Sequence, residues 1–198
     1  EAPDGVQVSL EWNVDNGSTA TAPECVPTAD RQGVDLRWPG RPFRLIIEVE
    51  GSEQEIADRL AYIASIANEL NPSAMVVSAS AEQSAKIWKG RKAAFGAIGR
   101  ISDYYCMDGV IPLSKLTQAL SGIAEICARH RLQVANIFHA GDGNLHPLIL
   151  YNANDADEKH RAELCGEEIL TLCVELGGCL TGEHGVGVEK RDLMPAMF

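Results

Sequence analysis

The chain has 198 residues, of which 45% are hydrophobic and 23% are charged, and its formal net charge is −11. This length suits one domain, or one domain with a loose extension, and the composition is typical of a soluble globular protein. The acidic charge and the lack of clustered Lys and Arg argue against a nucleic-acid partner. Because no apolar run approaches the roughly 20 residues that cross a bilayer, we expect no integral membrane segment.

Neither end of the sequence has the pattern of a natural terminus. The chain starts at Glu1 without a Met or a secretion signal, and it stops at Phe198 directly after a charged, helix-like run. We therefore expect a piece of a longer protein, truncated at its C-terminus. The six cysteines form no Cys-x-x-Cys pair, so we expect buried thiols in a reducing compartment rather than disulfides or a thiolate metal site.

The first 42 residues differ from the rest because they are rich in proline and in polar turn residues. Within them, Val6–Trp12 alternates like a strand, and Asn16-Gly17 predicts a hairpin turn. We expect the remainder of residues 1–42 to be irregular. One domain is predicted to follow, over residues 43–198.

Clearer signals begin at residue 43. Residues 43–50 predict a strand, and Ser52 with Glu55 predicts a capping box at the start of a helix that Asn71-Pro72 ends. Its apolar stripe recurs at helical spacing and consists of Ile56, Leu60, Ile63, Ala67 and Leu70. Residues 75–79 predict the next strand.

A second capping box, Ser80 with Gln83, predicts a helix to about Ile98, and residues 104–111 predict a strand. Pro112 suits the first turn of another helix, whose apolar stripe is Leu113, Leu116, Leu120, Ile123 and Cys127. The remaining predicted elements are strands over residues 134–139 and 145–151 and a long helix over residues 155–176, ended by Gly177-Gly178.

Two strand–helix–strand units stand out in this order, around residues 43–79 and 104–139. Two such units on one antiparallel sheet make a ferredoxin-like layer. We therefore predict an α+β fold with a ferredoxin-like antiparallel sheet and helices on one face.

The most informative segment is 139–146, HAGDGNLH. Asp142-Gly143 predicts a two-residue hairpin turn, and centring the hairpin there pairs His139 with His146. Opposed residues have Cβ atoms roughly 4.5–5.5 Å apart, so both imidazoles could ligate one divalent cation. The alternative is two unrelated histidines on a hairpin. Asp142 and Asn144 are most simply turn residues, although Asn144 is also our candidate for a contact with a cofactor.

Residues 182–187, GEHGVG, place a carboxylate and an imidazole between glycines. Adjacent side chains on an extended segment point apart, so Glu183 and His184 can serve different purposes, one toward a metal and the other toward a substrate. A set of two histidines and a glutamate leaves coordination positions of the metal open, as catalytic metal sites do. The alternative is a polar Gly-rich loop. Arg91 could bind a carboxylate through two hydrogen bonds, or it could belong to a solvated helix face.

These segments resemble a known family. HAGDGNLHPLIL, followed later by GGCLTGEHGVGVEK, resembles the C-terminal domain of FAD-linked oxidases of the vanillyl-alcohol oxidase type. WKGRKAAFGAIGRISDYYCMDGVIP is similar to the flavin subunit of bacterial glycolate oxidase. The resemblance covers residues 43–198.

The resemblance implies a two-part flavoenzyme that oxidises a 2-hydroxyacid to the 2-oxoacid by hydride transfer to FAD. FAD would be held mainly by a domain outside this chain, in which no Gly-rich pyrophosphate loop is found, so we expect the fragment alone to be inactive. The resemblance implies a divalent zinc or manganese on His139, His146 and Glu183. It makes His184 the base and Arg91 the group that holds the substrate carboxylate.

Two positions depart from some relatives that act on 2-hydroxyglutarate: Cys106 stands where those relatives carry Lys, and Leu148 where they carry Asn. Both favour glycolate or D-lactate as substrate. The resemblance also implies a second flavin-domain subunit, an iron–sulfur subunit and a cytoplasmic enzyme that meets the inner membrane through partners. The alternative function is a non-catalytic metal-binding or interaction module derived from the same fold.

Overall fold

The computed structural model of the chain describes residues 6–12 and 43–198. These divide into two compact units, the first holding residues 6–12 and 43–93 and the second residues 94–198. The hairpin turn predicted at Asn16-Gly17 and most of the segment predicted to be irregular lie outside the described residues.

A three-stranded antiparallel sheet forms in the first unit. Its strands are β1 (Val6–Trp12), β2 (Phe43–Val49) and β3 (Ala74–Val77), in the order β2-β1-β3. Val8 lies opposite Ile47 on one side and Val77 on the other. The predicted strand at Val6–Trp12 is therefore confirmed, and it occupies the centre of the sheet.

Helix α1 (Glu53–Leu70) connects β2 and β3 and begins as predicted. The Ser52 side chain accepts a hydrogen bond from the Glu55 backbone, and the Glu55 carboxylate accepts one from the Ser52 backbone, which together form a capping box. The helix ends at Asn71 in the left-handed conformation, with φ 48°. A small core joins helix and sheet, made of Val8, Ala67, Leu45, Ile47, Leu60, Ile63 and Met75.

Helix α2 (Ala81–Ile98) begins in the first unit and ends in the second. The Ser80 hydroxyl accepts from the Gln83 backbone at 3.3 Å, as predicted. The Gln83 side chain accepts from the Ala79 backbone, one residue before the position that a capping box requires. The predicted start and end of this helix are confirmed.

The second unit contains two antiparallel sheets. The larger is β4 (Asp103–Cys106), β8 (Pro147–Tyr151) and β6 (Gln133–Asn136), in the order β4-β8-β6. The smaller pairs β5 (Gly109–Val110) with β7 (Asn144–Leu145). The single strand predicted over residues 104–111 is wrong, because Met107 and Asp108 separate β4 from β5 and the buried Asp108 carboxylate bonds to another segment.

The α+β class with antiparallel sheets is confirmed, but the single ferredoxin-like sheet is not what the described residues form. The two predicted strand–helix–strand units lie in different sheets. In each unit a third strand, β1 or β8, pairs antiparallel with both flanking strands. Each unit thereby forms a separate three-stranded sheet.

Two helices pack in the second unit, α3 (Leu116–Arg129) and α4 (Ala156–Glu175). The predicted α3 stripe is buried except for Leu113, which is 39% exposed in the 3-10 turn that precedes the helix. Asp155 caps α4, and Gly177 follows it with φ 87°, as its sequence predicted. The core of this unit includes Ile123, Leu145, Leu148, Ile149, Ile169, Leu170 and Leu180. None of the helices in the described residues is long and apolar enough to span a membrane.

The cysteines in the described part of the chain are free thiols. Cys127, Cys165 and Cys173 are buried among apolar side chains, in agreement with the prediction. Burial raises the pKa of Cys173 to about 12, which keeps this thiol protonated and unreactive. Cys106 and Cys179 are only partly buried.

Gly178 provides a test of the fold. A Cβ there would overlap the Val110 carbonyl oxygen and lie 2.8 Å from the Cys173 carbonyl oxygen. Because both neighbours are backbone, we expect Gly178→Ala to lower the free energy of unfolding by about 3 kcal/mol, the upper range for overpacking, in urea titrations followed by circular dichroism. The control is Gly96→Ala in α2, where no described residue lies within 4 Å of an added Cβ. An unchanged midpoint for Gly178→Ala would contradict the close approach to Val110.

Candidate functional site

The hairpin that carries the two predicted histidines has a different register from the predicted one. His139 donates its backbone N–H to Asn144, and Ile137 donates to His146. The loop is therefore four residues, 140–143, with only Gly143 at positive φ (70°). The predicted pairing of His139 with His146 is wrong because a two-residue type I′ turn needs positive φ at both central positions, and Asp142 lacks it.

The histidines nevertheless meet. The register differs from the predicted one by two residues, and side chains alternate between faces with a period of two, so the face of each residue is unchanged. His139 and His146 become diagonal neighbours, with ring centroids 5.6 Å apart and ring planes at 86°. Asn144 shares this face and is buried.

The Gly-rich loop meets the same face of the hairpin. Oε1 of Glu183 lies 3.6 Å from Nε2 of His139 and accepts a hydrogen bond of 2.8 Å from the Asn144 side chain. The His184 ring stacks on His146, with centroids 5.4 Å apart and an interplanar angle of 6°. The structure therefore brings together these five residues predicted from the two motifs.

Asp108 was not predicted as a site residue, yet it lies at the centre of this group. It is fully buried, and its Oδ1 is 3.5 Å from Nε2 of His146. Burial raises the pKa of Asp108, but hydrogen bonds from the His184 and Glu183 backbone and the Thr181 hydroxyl outweigh it and hold the pKa well below its ordinary value. The sequence signal that could have identified Asp108 is a lone carboxylate in the apolar run 105–111, because a buried charge needs bonding partners.

His146 has the properties of a neutral ligand. Burial lowers its pKa more than the charges of Asp108 and Glu183 raise it, so the neutral imidazole, which binds metals, is favoured. Both ring nitrogens are buried without a hydrogen-bond partner in the described part of the chain. The edge of the ring contacts Phe95, with centroids 6.1 Å apart.

One set of donors in the described residues is grouped closely enough to hold a cation here. Donor atoms of Asp108, His146 and His184 all lie within 4.8 Å of one another. The predicted set instead combines His146 with His139 and Glu183. The Asp108 oxygens already accept several hydrogen bonds, whereas the Glu183 side chain is 56% exposed. The residues present thus fit a metal ion, and the orphaned nitrogens of His146 are the strongest indication of one.

The other predicted residues belong to other elements of the fold. Arg91 is on α2 in the first unit and is partly buried. Cys106 and Leu148, the two positions that depart from 2-hydroxyglutarate relatives, lie directly opposite each other on β4 and β8. Leu148 is fully buried. The two departures therefore form one neutral cross-strand pair.

Comparison with known proteins shows the family of the chain. The family "FAD linked oxidases, C-terminal domain" matches residues 15–198. The chain is 46% identical over 155 residues to glycolate oxidase subunit GlcD of Escherichia coli K12, covering 78% of the chain and 31% of that protein. It is 30% identical over 151 residues to glycolate oxidase subunit GlcD of Bacillus subtilis, covering 76% of the chain and 32% of that protein.

A further relative is the mitochondrial D-lactate dehydrogenase [cytochrome] of Kluyveromyces lactis, 29% identical over 165 residues, which cover 79% of the chain and 28% of that protein. The chain thus spans roughly a third of the length of these relatives. The family match extends over nearly the whole chain and includes every residue of the site. The chain belongs to the FAD-linked oxidases, as their C-terminal domain.

Proposed function

We propose that this chain is the substrate- and metal-binding part of a flavin-dependent 2-hydroxyacid dehydrogenase that oxidises glycolate, or D-lactate, to the 2-oxoacid. The observation that carries the proposal is the convergence of three imidazoles and a carboxylate, from His139, His146, His184 and Glu183, on one side of the hairpin. The names of the relatives, glycolate oxidase and D-lactate dehydrogenase, support the substrate class.

His139, His146 and Glu183 are the residues that would hold a divalent zinc or manganese. Glu183 is better suited than Asp108 because its carboxylate is more exposed and accepts fewer hydrogen bonds. Such a cation would supply Lewis-acid polarisation of the substrate 2-hydroxyl. Asn144 orients Glu183 through its side-chain amide. Its predicted contact with the cofactor remains a prediction, supported by a buried Oδ1 that has no partner among the described residues.

His184 would take the proton of the substrate 2-hydroxyl. Its ring stacks on His146, which places it next to the proposed ligands. An imidazole is suited to proton transfer near neutral pH. FAD, held mainly by a part of the enzyme outside this chain, would accept the hydride.

Arg91 would fix the substrate carboxylate, because a guanidinium binds a carboxylate through two parallel hydrogen bonds. The neutral pair of Cys106 and Leu148 offers no cation for a second carboxylate. This favours a small monocarboxylic 2-hydroxyacid over a 2-hydroxydicarboxylic acid.

The proposed enzyme works with partners. We propose association with a second flavin-domain subunit and an iron–sulfur subunit, in the cytoplasm and at the inner membrane through those partners. The word "subunit" in the names of the two GlcD relatives supports a multi-chain assembly for them.

The proposal is tested with a chimera in which this chain replaces the matching segment of the E. coli GlcD relative. We expect the purified chimera to reduce a dye acceptor with glycolate or D-lactate, and to act much more weakly on 2-hydroxyglutarate. The matched control is the chimera with Arg91→Met, which should have a higher KM for glycolate and for D-lactate. A folded, flavin-loaded chimera without turnover would favour the alternative of a non-catalytic metal-binding module.

A further inference from the structure

The Asp108 carboxylate accepts hydrogen bonds from the backbone of the loop that carries Glu183 and His184. Oδ2 of Asp108 accepts hydrogen bonds from the backbone N–H groups of Gly182 at 3.0 Å, Glu183 at 3.0 Å and His184 at 2.8 Å. The Thr181 hydroxyl donates to the same oxygen at 2.9 Å. Successive N–H groups directed at one point form an anion-binding concavity, and here the anion belongs to the chain itself.

The same loop also contacts Asn144. A Cβ on Gly182 would lie 2.7 Å from Oδ1 of Asn144, so the loop backbone packs closely on that side chain. Asn144 also donates to the Glu183 carboxylate. Two residues therefore fix the loop. Asp108 binds the loop backbone, and Asn144 packs closely on it and donates one hydrogen bond to a loop side chain.

Lys190 balances the charge of this buried carboxylate. Its Nζ lies 3.4 Å from Oδ2 and 3.3 Å from the backbone oxygen of Asp108, and Lys190 is itself buried. A buried ion pair is often no more stabilising than an apolar pair of similar size. A gain in stability is therefore a poor explanation for an ionised carboxylate at this buried position. The need to hold the loop in one geometry explains it directly.

We infer that Asp108 is a positioning residue, which acts through the backbone of residues 182–184 to hold Glu183 toward the metal position and His184 toward the substrate. The inference rests on the proposed function. We assign Asp108 a positioning role rather than a ligand role, because its Oδ2 accepts hydrogen bonds from three loop N–H groups. Outer partners of this kind commonly change metal affinity about 10- to 100-fold when they are removed.

The test is Asp108→Asn in the full chain, titrated with Co²⁺ and followed by its visible absorption, with Zn²⁺ affinity measured by competition. We expect a cooperatively folded variant whose dissociation constant rises about 10- to 100-fold and whose Co²⁺ spectrum changes shape, because Glu183 no longer has a fixed direction. The matched control is Asp155→Asn, the same substitution at the cap of α4, which keeps a capping oxygen and should leave both metal readouts unchanged. Wild-type affinity and spectrum in Asp108→Asn would overturn the inference.

The double variant Asp108→Asn/Lys190→Met separates positioning from charge balance. If Asp108 served only to neutralise Lys190, removing both charges would restore metal binding. We expect the double variant to regain thermal stability relative to Asp108→Asn and to keep the weakened metal binding. Restored affinity would also overturn the inference.

Amide hydrogen exchange in the metal-free chain distinguishes this inference from the proposed metal site. We expect the N–H groups of Gly182, Glu183 and His184 to exchange at least about 10-fold faster in Asp108→Asn than in the wild type, since a neutral amide oxygen accepts their hydrogen bonds more weakly than a carboxylate does. A wild-type chain that binds no metal would refute the metal site, and the exchange rates would still decide the role of Asp108. Equal exchange rates in both proteins would refute that role.

Discussion

The variant His139→Ala/His146→Ala is expected to lose the bound metal completely, whereas the wild-type chain is expected to carry zinc or manganese at near-stoichiometric amounts. Both substitutions remove nitrogen donors from the same side of the hairpin, which leaves Glu183 as the only member of the proposed ligand set. One carboxylate does not retain a divalent cation through purification. Elemental mass spectrometry of the two purified proteins measures the difference.

The control for this experiment is His160→Ala on α4, whose side chain is 69% exposed. It removes an imidazole without touching the site and should keep the full metal content. Metal retained by the double variant would contradict the ligand assignment. Metal missing from the wild type as well would remove the metal from the proposed mechanism, while the family membership, which rests on other observations, would stand.

The variant His184→Gln is expected to lower kcat of the glycolate-oxidising chimera by about 10²- to 10⁴-fold, the range that a positioned general base contributes. Gln fills similar space but cannot take a proton, so the loss should fall on turnover rather than on metal content. Steady-state rates with glycolate, together with metal analysis of the same sample, measure both quantities.

The comparison variant is Glu183→Gln, one residue earlier on the same loop. It should lose metal and activity together, because it changes a proposed ligand. If His184→Gln instead lost metal and kept the rate per bound metal, the roles of the two residues would be exchanged. The set of Asp108, His146 and His184 would then become the better description of the metal site.

Local sequence signals predicted the local structure well. The capping box at Ser52 and Glu55 formed as predicted, because its bonds join residues three apart and depend on nothing beyond the first turn. The end of α4 at the Gly177 turn followed for the same reason. The hairpin histidines were placed on one face even though the register was wrong, since the alternation of side chains survives a shift of two residues.

The same local signals did not predict the pairing of strands that are distant in the sequence. Nothing within Val6–Trp12 indicates that this strand pairs with both Phe43–Val49 and Ala74–Val77, because strand order depends on competition between distant segments for the same backbone partners. The prediction of one sheet failed for that reason. The hairpin register also failed, because the φ angles of the 140–143 loop are decided by the continuous pairing of the strands on either side.

The sequence by itself determined which residues carry the proposed chemistry: the imidazoles and the carboxylate stand in two short motifs whose spacing and glycines indicate a metal and substrate site. Only the tertiary structure decided how that chemistry is held in place. Asp108 is more than 70 residues from the loop it organises, and its role arises because folding buries a charge that backbone N–H groups must then satisfy. Such a requirement exists only once distant segments enclose the carboxylate.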